Sequence, residues 1–200
     1  MRLRKRKWVD PYLENEKDIL CTSLKGYKDF YLEIGMGMGD FIIESSLLDK
    51  DRFYVGLEKD RTCVAKAIVK AKEKDLNNLK ILLGDANNLL EMFDEGSVSR
   101  IYLHFSDPWP KKGYHKRRLT YPTFLKRYEY LLKDGGQIIF KTDNEDFFKD
   151  SLDYFKESSF VLEEINEDYH AIKRDEPITG YEAKFINEGK PIYYARYRKG

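Results

Sequence analysis

The sequence predicts an α/β protein built on an open, mainly parallel sheet with helices on both faces. Three observations carry that reading. Short apolar, β-prone runs alternate with helix-prone segments along almost the whole chain, as in a parallel sheet with crossover helices. One of those runs, residues 30–34, stops at Gly35, Gly37 and Gly39, and a helix-like segment, 41–48, follows at once. Acidic residues close several runs, and the carboxyl ends of parallel strands are where such sheets bind ligands.

Each element has its own signal. Residues 1–10 are basic and polar and predict a mobile arm; Asp10-Pro11 then opens a short helix-prone segment over 11–20. Residues 30–34, 52–58, 79–83, 98–105 and 137–141 are apolar runs of strand length. Val64, Ala67, Ile68 and Ala71 recur at helical spacing and predict a helix over 60–75. A short helix is expected near 87–93. Pro122 suits the first turn of a helix over 120–132, and Thr142-Asp143-Asn144 offers caps for one running to about 156. Residues 161–166 and 192–198 read as a closing antiparallel pair. The count is seven strands in one domain, 1–200, with no repeat and no low-complexity segment.

Composition narrows the class. The 200 residues are 42% hydrophobic and 36% charged, which suits a globular domain with one substantial core. No apolar run has the length of a membrane span, and no apolar segment follows the basic N-terminus, so neither a membrane nor a secretory signal is expected. Cys21 and Cys63 lack metal-ligand spacing, as do His104, His115 and His170, so no metal is expected and a reduced, cytoplasmic setting is. The net charge is +1, yet basic residues cluster at 2–7, at 111–118 and at Arg196, Arg198 and Lys199. Such patches on a neutral chain permit a polyanion site on one face.

The glycine loop points to a nucleoside cofactor. Side chains at Gly35, Gly37 and Gly39 would block a ligand from lying against the backbone. A dinucleotide fingerprint would need a glycine at position 40, where this chain has Asp40. Glu33, two residues before the first glycine, can anchor the cationic amino-acid end of S-adenosylmethionine. Glu58, 23 residues after Gly35, can accept from both ribose hydroxyls, which fits S-adenosylmethionine and NAD equally. Asp85 in Gly84-Asp85-Ala86-Asn87 can accept from an adenine amine or cap a helix.

The most informative stretch follows the fourth strand: Asp107-Pro108-Trp109-Pro110-Lys111-Lys112-Gly113-Tyr114-His115-Lys116-Arg117-Arg118. A rigid Pro-Trp-Pro turn would hold the Asp107 carboxylate near the reactive end of a cofactor. The basic run beyond it would meet phosphates. His104, inside an apolar strand, reads as a satisfied core residue. Trp109 and Tyr181 suit either base stacking or packing.

This stretch resembles the signature of the bacterial tRNA (guanine-N7-)-methyltransferase family. The likeness runs nearly end to end, through the basic arm, Glu33 with its glycines, Glu58, Gly84-Asp85-Ala86, Thr142-Asp143 and Thr179-Gly180-Tyr181-Glu182. One departure is Gly113-Tyr114, where the family usually carries Arg-His. The resemblance implies a Rossmann-like class I methyltransferase fold with an antiparallel C-terminal strand. It implies S-adenosylmethionine contacts at Glu33, Gly35, Gly37, Gly39, Glu58, Asp85, Ala86 and Asp107, with Asp107 also at the chemistry. Lys111, Asp143, Thr179, Gly180, Tyr181 and Glu182 would hold the target guanosine. Gly113, Tyr114, His115, Lys116, Arg117 and Arg118 would touch tRNA. The implied reaction is methylation of N7 of the variable-loop guanosine, position 46, by a monomer or a homodimer.

The chemistry suits those residue types. Guanine N7 carries a free lone pair and needs no general base, so in-line positioning and stabilisation of the developing positive charge by carboxylates would supply the rate. Asp143 and Glu182 could accept from N1–H and the N2 amine, although Asp143 could equally cap the next helix. Three other readings compete: an amino-group methyltransferase, an NAD-dependent oxidoreductase, and a non-catalytic RNA-binding module. The basic extension after Asp-Pro-Trp, the glycine spacing and the intact acid set argue against them in turn.

Overall fold

The computed structural model describes residues 7–169 and 176–200. Residues 1–6 of the expected arm lie outside the described residues, as do His170 and Arg174. The elements, in order, are α1 (Val9–Glu14), β1 (Leu20–Cys21), β2 (Phe30–Ile34), α2 (Asp40–Leu48), β3 (Phe53–Glu58), α3 (Arg61–Lys72) and β4 (Leu79–Leu83). A 3-10 turn (Ala86–Asn88), α4 (Leu89–Met92), β5 (Val98–His104), a 3-10 segment (Lys112–Arg117), α5 (Pro122–Leu131) and β6 (Leu132–Thr142) follow. The chain closes with α6 (Glu145–Lys156), β7 (Phe160–Asn166), α7 (Gly180–Asn187) and β8 (Tyr193–Lys199).

The strands form one sheet in the order β1-β4-β3-β2-β5-β6-β8-β7, and only β8 runs against its neighbours. After β2 the chain builds outward through β3 and β4, then returns to place β5 on the other side of β2. The crevice between β2 and β5 is therefore the topological switch point, where ligands bind in such sheets.

The seven strands expected from sequence are all present, and the sheet carries an eighth. Leu20 and Cys21 pair parallel with Ile81 and Leu82 at the edge. Two apolar residues are too short to show a strand period, so only β4 beside them defines this strand. The helix expected over 11–20 is correspondingly α1, six residues long. Val9 and Asp10, at the end of the segment expected as an arm, are helical, and Arg61 Nε donates to Asp10 at 2.7 Å.

Alternation along the strands divides the core. Leu103 and Phe140 enter a cluster with Leu32, Ile34, Val55 and Leu57, whereas their neighbours Tyr102 and Ile139 pack with Phe41, Phe185 and Tyr194. Helices α2 and α3 cover the remaining apolar surface through Ile42, Ile43, Val64 and Ile68. Two glycines are required by this packing. A Cβ on Gly56 would collide with Met36 Sδ of the loop above it. Gly39, at φ +75°, caps α2, and a Cβ there would sit 3.0 Å from that of Ala67.

Candidate active site

A cavity of about 610 Å³ opens at the carboxyl ends of β2 to β5, within the range of small-molecule sites. Ile34, Leu57, Leu119 and Phe124 give it an apolar floor, and Gly35, Glu58, Asp85, Ala86, Ser106 and Asp107 supply polar groups around it.

Backbone amides hold Glu58 in place. Its Oε1 accepts from the Lys59 and Asp60 amides, each at 2.8 Å, and its Oε2 from the Gly37 amide at 3.1 Å. Three of roughly four lone-pair positions are thus engaged in orienting the carboxylate and closing the glycine loop. Asp85 does cap the 3-10 turn after β4, but through Oδ1 alone, which accepts from the Asn87 amide at 2.8 Å and from its side chain at 2.7 Å. Capping and cavity lining coexist at this residue.

The Asp107 loop is bounded by two residues in the left-handed region, Phe105 at φ +50° and Trp109 at φ +40°. Such non-glycine conformations cost on the order of 1–3 kcal/mol each and persist where the surroundings impose them. The Phe105 amide donates to the Lys141 carbonyl at 2.9 Å. At the far end, the Pro108 carbonyl accepts from Arg118 Nε at 2.7 Å. Asp107, exposed between these anchors, faces the cavity. The Ser106 hydroxyl beside it is buried without a partner.

The basic run divides in a way its sequence does not show. Arg118 is only 2% exposed; its guanidinium packs 5.1 Å over the Phe147 ring and binds Asp150 at 2.5 Å. It clamps the Asp107 loop and does not present itself to a phosphate, which corrects its expected role. His115 also turns inward, between Arg118 at 3.0 Å and the Tyr154 hydroxyl at 3.3 Å. Lys116 and Arg117 line the cavity mouth. Arg117 lies over Trp109 at 4.9 Å and Tyr114 at 4.7 Å, so Tyr114 contributes a stacking face where the family usually has a basic residue. Lys111 and Gly113 are exposed.

Three expectations, for Glu33, His104 and Glu182, meet a different geometry, and for Asp143 one of two alternatives is removed. Glu33 is 4% exposed and lies outside the cavity lining, with Oε1 3.7 Å from His104 Nδ1 and Oε2 unpartnered. Burial pushes its carboxyl up to about 8, against the opposing pull of the Lys141 charge. His104 is a core residue but not a satisfied one: neither ring nitrogen has a partner, and burial, helped by Lys141, drives it well below its ordinary value. Asn144, not Asp143, caps α6, with its side chain accepting from the Phe147 amide at 2.8 Å. Asp143 is therefore free of the capping duty. Glu182 is 2% exposed, and both its oxygens face inward, to the Thr179 amide at 3.1 Å and Lys141 Nζ at 3.3 Å. It is the far side of a capping box with Thr179, not an exposed acceptor for a base.

The Thr179–Glu182 turn still reaches the site. Tyr181, 47% exposed, packs its ring 4.8 Å from Phe105. The same residues place Thr179 and Gly180 on a neighbouring cleft against α2. Sequence reasoning missed Ser106 and Lys141. For Lys141 a signal existed, since a lysine inside a buried apolar strand demands a partner.

A switch-point cavity ringed by acids and closed by a glycine loop is the architecture of class I methyltransferases. Solved structures agree on that fold: an antibiotic-related methyltransferase superposes with a TM-score of 0.61 at 18% identity, covering 86% of this chain and 87% of its own. A SAM-dependent methyltransferase from Aquifex aeolicus does so at 0.60 and 12%, covering 96% and 90%. A family model described as "Putative methyltransferase" matches residues 28–195. The tRNA (guanine-N(7)-)-methyltransferase of Limosilactobacillus reuteri is 40% identical over 96% of this chain and 97% of its own length, and that of Bacillus subtilis is 39% identical over 98% and 97%. The chain belongs to the bacterial tRNA (guanine-N7-)-methyltransferase family. No helix among the described residues is long and apolar enough to cross a membrane, and no group of three or more His, Cys, Asp or Glu there could hold a metal.

Proposed function

We propose that this chain, working as one catalytic unit, transfers a methyl group from S-adenosylmethionine to N7 of the variable-loop guanosine of tRNA, position 46. The observation that carries the reading is the pairing of an acid-ringed cavity with a basic segment whose Lys116 and Arg117 line it. The family relationship supports the same substrate.

The residues present fit the cofactor. The space above Gly37 is open where a Cβ would stand, and the Ser106 hydroxyl at the cavity is a buried polar atom without a hydrogen-bond partner. When bound, S-adenosylmethionine supplies an electrophilic methyl on a sulfonium. Glu58 and Asp85 would hold its ribose and adenine, and Ala86 and the glycines would admit it to the backbone; Glu33, buried outside the cavity lining, would take its ammonium only by giving up its proton. Asp107 would face the positive charge that guanine N7 gains on alkylation, where a preorganised charge of opposite sign stabilises the transition state. Lys111, Asp143, Thr179, Gly180 and Tyr181 hold the base, with Glu182 acting from behind them. Lys116 and Arg117, with Gly113 and Tyr114, meet the RNA backbone.

The test is transfer of labelled methyl from S-adenosylmethionine to unmodified tRNA, followed by reductive aniline cleavage to map the product. Label at the variable-loop N7 supports cofactor, substrate and reaction together. Label on an exocyclic amine would replace the substrate reading with the amino-group alternative.

A further inference from the structure

Lys141 is fully buried in β6, directly after the apolar run Ile138, Ile139 and Phe140. Its ammonium reaches Glu176 at 3.0 Å and Glu182 at 3.3 Å, and lies 4.2 Å over the Tyr169 ring. Glu176 also accepts from the Tyr169 hydroxyl at 2.8 Å. Burial works to raise the Glu176 carboxyl, and Lys141 with Tyr169 outweighs it. The same ammonium is close enough to Glu33 to pull on its carboxyl.

These contacts join separate parts of the site. The Lys141 carbonyl accepts from Phe105, the first residue of the Asp107 loop, and Lys141 pairs in register with His104. Two residues on is Asp143. Through Glu182 the ammonium holds the capping box that starts α7, and α7 in turn packs Tyr181 and Phe185 against Phe105. One lysine therefore touches the Asp107 loop with its backbone and the Thr179–Glu182 turn with its side chain. Buried ion pairs contribute little net stability, since apolar residues of like shape often do as well. Their directional bonds do set geometry, and here that geometry connects the cofactor side of the site with the base side.

We infer that Lys141 is a positioning residue that fixes the Thr179–Glu182 turn, and α7 behind it, against the Asp107 loop so that the target base meets a preformed pocket. The role in base binding rests on the function proposed above; the mechanical tie does not.

Lys141→Met alone leaves two buried carboxylates without their cation and risks misfolding. The decisive variant is Lys141→Met/Glu176→Gln, which keeps the net charge of the cluster and leaves Glu182 its capping box. Amide hydrogen exchange reads the tie directly: residues 180–187 should exchange at least about 10-fold faster while β2 to β6 are unchanged, as for a local opening. Steady-state kinetics read its use: KM for tRNA should rise about 10-fold or more, while the dissociation constant of S-adenosylhomocysteine moves less than about 3-fold. Unchanged exchange over 180–187 would overturn the tie, whatever the substrate is. Equal losses of tRNA and S-adenosylhomocysteine affinity would make Lys141 a general structural residue and overturn the positioning role. Faster exchange in a protein whose wild type forms no N7-methylguanosine would uphold the tie and reject the substrate reading instead.

Discussion

Asp107 and Glu33 show how differently two carboxylates of one site are prepared. Asp107 is exposed on a loop held by Arg118 and Lys141, so removing its side chain disturbs little packing. Asp107→Ala should therefore lower the single-turnover rate by roughly 10²–10³, with a melting temperature close to that of the wild type. A variant that retained full turnover would remove Asp107 from the chemistry. Burial raises the Glu33 carboxyl from 4.5 to about 8, which favours its proton-bearing form at neutral pH. Between those values the folded state binds more protons than the unfolded one, so Glu33 lowers stability progressively as pH rises through the window. Glu33→Gln should become more stable relative to the wild type with a slope of up to about 1.4 kcal/mol per pH unit between pH 4.5 and 8. Denaturant unfolding at pH 5 and pH 7.5 measures the difference, and equal gains at both would show that Glu33 titrates normally. If Glu33 also takes the cofactor ammonium, S-adenosylhomocysteine binding at pH 7 should release close to one proton, read by calorimetry in two buffers.

At the scale of elements, adjacent residues at the end of β6 do separate jobs. Asn144 caps α6 and Asp143 does not, although both types are favoured caps. Asn144→Ala should cost about 1 kcal/mol of stability and leave KM for tRNA near the wild-type value. Asp143→Ala should do the reverse. Matching stability losses in the two variants would return Asp143 to a structural role. The clamp on the Asp107 loop is a second such case. Arg118→Ala removes a buried guanidinium from the partly exposed Asp150 and leaves the Pro108 carbonyl without its donor, so a loss of roughly 1–3 kcal/mol is expected. Thermal or denaturant melting will show it.

Across the whole molecule, a net charge of +1 hides basic residues clustered along the chain at 2–7 and 111–118. Binding of tRNA should weaken with salt, each phosphate contact adding about 0.7–0.9 to the log–log slope. Lys116→Ala should reduce that slope by about one contact, while the inward-facing charge of Arg118 should contribute nothing to it. Removing residues 1–7 should flatten it further if the basic segment meets RNA, and an unchanged slope would exclude that contact.

Local chemistry is written in the sequence wherever the responsible groups are neighbours along the chain. The strand-to-helix glycine loop, the alternating α/β order, Glu58 and Asp85 at strand ends, and the Asp-Pro-Trp-Pro turn all depend on residues within a few positions of each other. Periodicity and turn chemistry make such features readable. Partnership across the chain is not written there. Only the folded structure decides that Arg118 faces Asp150, 32 residues away, while Lys116 faces the cavity. Only folding turns Glu182 toward Lys141, leaves Glu33 behind the cavity wall with His104, and pairs a two-residue strand with β4. A charged side chain reads the same in sequence whether it meets a phosphate or a buried carboxylate. The difference lies in which face of which element it occupies once distant strands have paired, and that is fixed by packing.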